Sequence, residues 1–180
     1  MTVPPHAPPP APPPAPAARP AIDSPSGAAH PPGPMLNVHA TCVAVGGRAV
    51  LLRGPSGAGK SDLALRLIDG GAVLVADDRT LLDREGDRVV ARPAPEIAGL
   101  LEVRGVGLIE VPHVPAAPVA LVCDLVPPDG LERMPEPDGV GILGASLPRV
   151  RLCATHAGAA AALRLLLAGA PVRHPTTLPA

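Results

Sequence analysis

The sequence predicts a strand-rich α/β domain. Short apolar runs rich in β-branched residues recur between glycine-rich turns, a pattern typical of strands. Only two segments have the length and periodicity of substantial helices, residues 60–69 and 157–168. Because two helices are too few to cover both faces of a doubly wound sheet, we expect strands to build most of the domain.

The chain is expected to contain one domain between two loose ends. Its 180 residues are enough for a single core. Residues 1–34 are almost wholly proline, alanine and small polar residues, and such a segment buries too little apolar surface to fold. We therefore expect a disordered tail over residues 1–34, a folded catalytic domain over residues 35–170, and a flexible C terminus over residues 171–180.

The composition determines what kind of core is available. The sequence has no Phe, Tyr or Trp, yet 47% of its residues are apolar. The core must then be built from Leu, Val, Ile and Ala, without aromatic side chains to fill it. We expect modest stability and self-association. Cys42, Cys123 and Cys153 are widely spaced, which favours buried apolar thiols in a reducing compartment over a metal site.

Charge argues against two classes of partner. The formal net charge is −1, with 15 basic and 16 acidic residues, so there is no basic footprint for nucleic acid and no polybasic membrane patch. The N terminus has no signal-peptide pattern, and the apolar segment 157–170 is too short to span a bilayer. These features predict a soluble cytoplasmic protein.

The predicted elements begin with a hairpin. Residues 38–45 and 48–53 are joined by Gly46-Gly47, a strong two-residue turn signal. The later elements are a helix over 60–69, a short buried strand over 73–76, a hairpin of 80–82 with 88–91, a helical turn over 95–101, strands over 107–111, 119–125 and 147–152, and a helix over 157–168.

The strongest motif is a P-loop between the second strand and the first helix. It consists of Gly54, Pro55, Ser56, Gly57, Ala58, Gly59, Lys60 and Ser61. Its glycines let backbone N–H groups turn toward phosphates, and the helix N terminus adds partial positive charge. Lys60 is the only lysine in the sequence, as expected if phosphate oxygens require a compact ammonium. Ser61 can ligate magnesium, so the motif predicts a nucleoside triphosphate bound with Mg²⁺.

Two further acidic segments follow the P-loop. Asp77 and Asp78 end the strand over residues 73–76, and adjacent side chains on an extended segment point to opposite sides. We expect one to serve the metal and the other the substrate. Further on, Gly105 and Gly107 follow the charged Glu102, which indicates a loop that approaches another group closely.

Together these residues resemble a known family. His39, the P-loop, the Asp77-Asp78 pair and the stretch 101–107 look like the catalytic domain of HPr kinase/phosphorylase, a bifunctional bacterial enzyme that acts on a serine of the phosphocarrier protein HPr. The Glu-x-Arg-Gly-x-Gly stretch carries most of this specificity. The resemblance covers residues 37–133 and is closest to the short, catalytic-domain-only version. The proline-, glycine- and arginine-rich loop of the long forms has no clear counterpart in residues 147–158.

The resemblance implies a role for each site residue. Lys60 and the loop glycines hold the triphosphate, while Ser61 and Glu102 bind magnesium. Asp78 is the base that takes the serine proton, and the acid in the reverse reaction.

Three further roles follow from the same resemblance. His39 matches a catalytically important histidine. Arg133 matches an active-site arginine, which would stabilise charge on the transferring phosphoryl group. Asp77 supports the metal or orients Asp78.

The resemblance thus implies an ATP- and Mg²⁺-dependent serine kinase that phosphorylates HPr, with dephosphorylation as the reverse activity, in a hexamer. Two alternatives remain open on the residues alone. One is a small-molecule P-loop kinase, and the other is a nucleotide-sensing module without turnover. A sensor would need neither the base at Asp78 nor the cation at Arg133.

Overall fold

The computed structural model describes residues 35–172, so the predicted tail and most of the predicted flexible C terminus lie outside the described residues. The described part contains ten strands and two α-helices. In chain order they are β1 (Leu36–Val45), β2 (Arg48–Arg53), α1 (Lys60–Asp69), β3 (Val73–Ala76), β4 (Arg79–Glu85), β5 (Arg88–Pro93), β6 (Leu100–Val103), β7 (Gly107–Glu110), β8 (Ala117–Leu125), β9 (Asp138–Ile142), β10 (Ala145–Leu152) and α2 (Ala159–Leu167).

Eight of these strands form one mixed sheet. The strand order is β2-β1-β4-β5-β8-β10-β9, and β3 pairs with β1 away from this path. Because β2 also pairs with β8 in parallel, the strands β2, β1, β4, β5 and β8 close into a ring. Strands β6 and β7 form a separate two-stranded hairpin. The strand-rich α/β class predicted from the sequence is therefore confirmed.

The β1–β2 hairpin anchors the P-loop. Its turn is formed by Gly46 and Gly47, whose φ angles of 58° and 79° match the type of turn that joins two-residue hairpins. Strand β2 is hydrogen-bonded to β1 on one side and to β8 on the other, and its residues 49–52 are fully buried. The loop that follows β2 therefore starts from one of the most constrained points of the sheet.

Two apolar clusters make up the core. One lies between the sheet and the helices and includes Leu63 and Leu67 of α1 and Leu163 of α2. The other lies within the ring of strands and includes Leu51 and Val122. All the buried apolar side chains are Leu, Val, Ile, Ala or Cys, as the composition predicts, and the three cysteines are buried and free. Neither α-helix in residues 35–172 is long and apolar enough to cross a membrane.

Two parts of the secondary structure differ from the sequence prediction. The helical turn expected over residues 95–101 is only a 3₁₀ turn, Pro95–Ile97, after which the chain extends into β6. Strand β9 was not predicted. It joins β10 through Leu143 and Gly144, with φ angles of 47° and 76°. A leucine is an unusual residue for the first position of such a turn, so the hairpin has little local signal.

Candidate active site

The P-loop connects β2 to α1 and packs against the segment that precedes α2. Helix α1 begins at Lys60, and Gly59 before it has a φ of 88°. A Cβ on Gly59 would lie only 2.8 Å from the Cβ of Ala154, so this position tolerates no side chain. The left-handed backbone and the close contact together account for the glycine that the motif requires.

Lys60 ends in a cluster of acceptors beneath the loop. The side chain is buried, and its ammonium donates to the carbonyl oxygens of Gly54, at 3.0 Å, and Pro55, at 3.1 Å. The third contact of Nζ is with Nε2 of His39, at 3.1 Å. Since an ammonium can only donate, this ring nitrogen accepts, and the imidazole hydrogen is assigned to Nδ1.

His39 links the lysine to an acid. Its Nδ1 lies 2.9 Å from Oδ1 of Asp78. The three side chains therefore form one hydrogen-bonded chain, from Lys60 through His39 to Asp78. The three residues come from α1, from β1 and from the segment after β3, so the chain of bonds exists only in the folded domain.

Asp77 is the centre of a second, buried network. Its Oδ1 accepts a hydrogen bond from Thr41 Oγ1 at 2.6 Å and another from Ser61 Oγ at 3.1 Å. Its Oδ2 accepts from the backbone N–H of Glu102 at 3.0 Å. Asp77 is only 5% exposed, so these bonds offset the cost of burying its charge. The Ser61 hydrogen points to Asp77, which leaves the oxygen lone pairs of Ser61 for a cation.

Asp78 differs from its neighbour in backbone and exposure. Its φ is 61°, in the left-handed region that few residues other than glycine, Asn and Asp adopt. The segment is therefore not extended, and the expectation that the two acids point to opposite sides is replaced by an arrangement in which both line one cavity. The environments of the two carboxylates still differ, because Asp77 is buried while the side chain of Asp78 is 64% exposed. Unusual backbone dihedrals of this kind concentrate at functional sites.

The two networks share a cavity of about 340 Å³, a volume typical of small-ligand sites. Its lining includes Ser56, Gly57, Gly59, Lys60, Ser61, His39, Thr41, Asp77, Asp78, Glu102 and Arg104. The lining fits magnesium, since Ser61 and Glu102 carry hydroxyl and carboxylate oxygens and both line this cavity. Residues 35–172 contain no cluster of three or more His, Cys, Asp or Glu side chains able to hold a metal. An ion here would be held by few protein oxygens together with phosphate oxygens, as is usual for Mg²⁺.

The structure does not bring Arg133 to this cavity. Arg133 is exposed and lines a separate groove of about 450 Å³, together with residues of β10 and the end of α2. Gly105 and Gly107 make no close approach to other described residues, because a Cβ on either would meet nothing within 4 Å. Their φ angles of 82° and 117° explain the glycines instead, as part of the β6–β7 turn.

Sequence reasoning missed Thr41. A threonine within an apolar strand carries no motif of its own. The available signal was its spacing, since Thr41 lies two residues after His39 and side chains two apart on a strand share a face.

The part of the chain that resembles a known family is the part that contains the cavity. The family model described as the HPr serine kinase C-terminal domain matches residues 33–116. Over these residues the chain is similar to that family. Every residue that lines the cavity, from His39 to Arg104, lies inside the matched range.

Individual relatives agree with this assignment. The HPr kinase/phosphorylase of an Exiguobacterium species is 44% identical over 79 residues, which are 43% of this chain and 25% of the relative. That of Burkholderia lata is 38% identical over 130 residues, 66% of this chain and 40% of the relative. This chain therefore spans less than half the length of these curated relatives.

A solved structure extends the likeness to the fold. The HPr(Ser) kinase/phosphatase from Coxiella burnetii superposes with a TM-score of 0.66 at 26% identity, covering 74% of this chain and 88% of that one. The domain is thus an α/β, strand-rich fold of the HPr kinase type.

Proposed function

We propose that this protein is an ATP- and Mg²⁺-dependent protein-serine kinase that phosphorylates an HPr-like phosphocarrier protein and also catalyses the reverse dephosphorylation. One observation carries the proposal. With the exception of Arg133, the side chains expected to handle phosphate, metal and proton line one cavity, and they lie in the stretch that matches the HPr serine kinase C-terminal domain.

Nucleotide binding would begin at Lys60. Its ammonium exchanges the carbonyl oxygens of Gly54 and Pro55 and the ring nitrogen of His39 for the phosphate oxygens. The N–H groups at the start of α1 and the partial positive charge of the helix N terminus favour the same anion. Magnesium would be held by Ser61 and Glu102, and when bound it would neutralise developing charge on the phosphates.

The transfer step needs one base. The serine oxygen of the acceptor attacks the γ-phosphorus, the bond from that phosphorus to the β,γ-bridging oxygen breaks, and ADP leaves. The proton of the serine hydroxyl passes to Asp78, whose exposed carboxylate faces the cavity and is oriented by Nδ1–H of His39. In the reverse reaction, an oxygen of the β-phosphate of ADP attacks the phosphorus of the phosphoserine and ATP forms again, while protonated Asp78 returns its proton to the leaving serine oxygen.

The test is incubation of the full chain with γ-labelled ATP, Mg²⁺ and a purified HPr-like phosphocarrier protein, followed by mapping of the labelled residue. We expect label on one serine. Lys60→Ala should abolish it, because the variant loses the only lysine that reaches the phosphates. Absence of transfer by the wild-type chain, with ATP binding intact, would contradict the kinase proposal.

A nucleotide-binding module without turnover is the second candidate. It is favoured by the position of Arg133, which lines a different groove from the P-loop cavity. Such a module would bind ATP with Mg²⁺ in the same experiment and leave the phosphocarrier unlabelled.

A further inference from the structure

We propose that Thr41 is a positioning residue for magnesium, acting through Asp77 on the metal-binding hydroxyl of Ser61. This inference rests on the proposed function, since it assigns a residue to the magnesium-dependent binding of nucleotide. Thr41 belongs neither to the P-loop nor to the acidic pair Asp77-Asp78.

The first observation is the quality of the contact. Thr41 Oγ1 donates to Asp77 Oδ1 at 2.6 Å, the shortest of the hydrogen bonds that this carboxylate accepts. Hydrogen bonds from a hydroxyl to a carboxylate are short and strong when well aligned. Thr41 has no exposed surface, so water does not compete for the bond.

The second observation is that both partners are held by the sheet. Thr41 lies opposite Leu52 in the β1–β2 ladder, next to the P-loop strand. The neighbouring Cys42 pairs with Ala76, the residue immediately before Asp77. Thr41 lies within a paired strand and Asp77 directly follows one, so the pairing of β1 with β3 sets how the hydroxyl approaches the carboxylate.

The third observation is the set of donors that each oxygen of the Asp77 carboxylate accepts. Oδ1 of Asp77 is shared by Thr41 and Ser61, while Oδ2 accepts from Ser61 and from the N–H of Glu102. Thr41 thereby holds the carboxylate in the orientation in which it receives the Ser61 hydrogen. Removing the Thr41 hydroxyl leaves the carboxylate held by the N–H of Glu102 and by Ser61 alone, and the direction of the Ser61 lone pairs is then less well fixed. Mutation of a residue that orients a metal ligand in this way typically lowers metal affinity by about 10–100-fold.

The competing explanation is purely structural. A buried threonine needs an acceptor for its hydroxyl, and Asp77 supplies one. Thr80 provides a matched control, because it is also fully buried and donates to a single acceptor, the carbonyl oxygen of Ala40, at 2.7 Å. Within residues 35–172, no side-chain hydrogen bond joins Thr80 to Asp77 or Ser61. Both threonines can be changed to the isosteric valine, which removes the hydroxyl and keeps the volume.

The experiment titrates the full chain with a non-hydrolysable ATP analogue by calorimetry, once with Mg²⁺ and once with EDTA. The quantity compared is the gain in affinity that Mg²⁺ produces. We expect Thr41→Val to reduce this gain by about tenfold or more and to leave the affinity in EDTA within about twofold of wild type. Thr41→Ser keeps the hydroxyl and should retain the gain, as should Thr80→Val.

The outcomes separate the two proposals. If wild type binds the analogue without any gain from Mg²⁺, the proposed function fails and this inference with it. If wild type shows the gain and Thr41→Val keeps it, or if Thr80→Val loses it equally, Thr41 is structural only. Should Thr41→Val not fold, the comparison of Thr41→Ala with Thr80→Ala decides the question in the same way.

Discussion

At the scale of single residues, the site depends on how the fold treats two adjacent acids. Asp77 is buried and receives hydrogen bonds from Thr41, Ser61 and the backbone of Glu102. Asp78, one residue later, has a left-handed backbone, an exposed carboxylate and a single imidazole partner. A buried carboxylate saturated with donors suits the orientation of a metal ligand, whereas an accessible carboxylate suits proton transfer.

The first prediction concerns Asp78→Asn. The substitution keeps the shape, and Asn also tolerates the left-handed backbone. Phosphoryl transfer to the acceptor serine should fall by about 10²–10⁴-fold, while ATP affinity measured by calorimetry should persist. Glu102→Gln is the matched control, and its defect should appear as a higher magnesium requirement that excess Mg²⁺ partly rescues. Near-normal transfer by Asp78→Asn, or rescue of its defect by magnesium, would make Asp77 the next candidate for the base.

A second residue-scale prediction concerns the three thiols. Burial raises the pKa of Cys42 well above its ordinary value and that of Cys123 to about 12. The hydrogen bond with the Thr155 side chain lowers the pKa of Cys153. Cys153 is only 4% exposed, but it lines a surface pocket, whereas Cys42 and Cys123 have no exposed surface. At about pH 8 the native protein should therefore be alkylated first at Cys153, with Cys42 and Cys123 reacting only on unfolding. Mass spectrometry of the alkylated peptides gives the order, and early modification of Cys42 would contradict it.

At the scale of elements, the P-loop is held from two directions. Strand β2 anchors its start within the sheet, and the segment before α2 packs against its end at Ala154. The two helices also meet directly, because Leu63 and Leu67 of α1 share a core cluster with Leu163 of α2. The loop geometry therefore depends on α2, which lies about a hundred residues later in the sequence.

The contact with Ala154 predicts different effects for two glycines of one loop. Gly59→Ala forces a Cβ into a 2.8 Å approach at a φ of 88°, whereas Gly57→Ala has a similar φ of 80° and meets nothing within 4 Å. Both changes carry the cost of a left-handed alanine, of about 1–3 kcal/mol. Gly59→Ala should be the more destabilising in urea unfolding, because it adds a clash. Equal free energies of unfolding for the two variants would show that the segment before α2 can move away from the new Cβ at no energetic cost.

The β9–β10 hairpin should make stability depend on acid. Asp138 of β9 accepts hydrogen bonds from Nε and a terminal nitrogen of Arg149 on β10, at 2.9 and 2.6 Å, and these bonds hold its pKa below the ordinary value. A depressed pKa means that the stabilisation is present at neutral pH and lost as pH falls through the folded-state pKa. Asp138→Asn should therefore lower the free energy of unfolding at pH 7 more than at about pH 3. A penalty that does not change between these two pH values would exclude the ion pair as its cause.

At the scale of the whole molecule, the domain folds without a single aromatic side chain. A closed ring of five strands compensates in part, since it leaves fewer unpaired edges and encloses a core of Leu, Val and Ala. Several large apolar side chains remain exposed, among them Val106 at 73% and Leu108 at 67% on the β6–β7 hairpin and Leu165 at 62% on α2. Such surface is consistent with contacts between subunits.

Self-association is the prediction at this scale. A core of small side chains gains stability when subunit contacts bury further apolar area. Sedimentation equilibrium at micromolar concentration should show an oligomer, and the family resemblance implies six subunits. A single monomeric species across the concentration range would contradict this expectation.

The sequence alone was sufficient for the features that depend on neighbours along the chain. The Gly46-Gly47 turn, the P-loop with its unique lysine, and the acids after β3 are local patterns, because turn dihedrals and helix N termini are set by a few consecutive residues. The composition of the core and the burial of the cysteines were likewise predicted. The family resemblance brought His39, Asp78 and Glu102 to one site, and all three line the same cavity.

Only the tertiary structure decided which of these residues meet and how. The ring depends on the parallel pairing of β2 with β8, two strands separated by more than sixty residues, and no local pattern encodes that register. The pairing of β1 with β3 brings Thr41 next to Asp77, and the folded domain also gives Asp78 its left-handed backbone and leaves Arg133 in a different groove. These outcomes depend on the free energy of packing the whole domain, to which each short segment contributes only a small part.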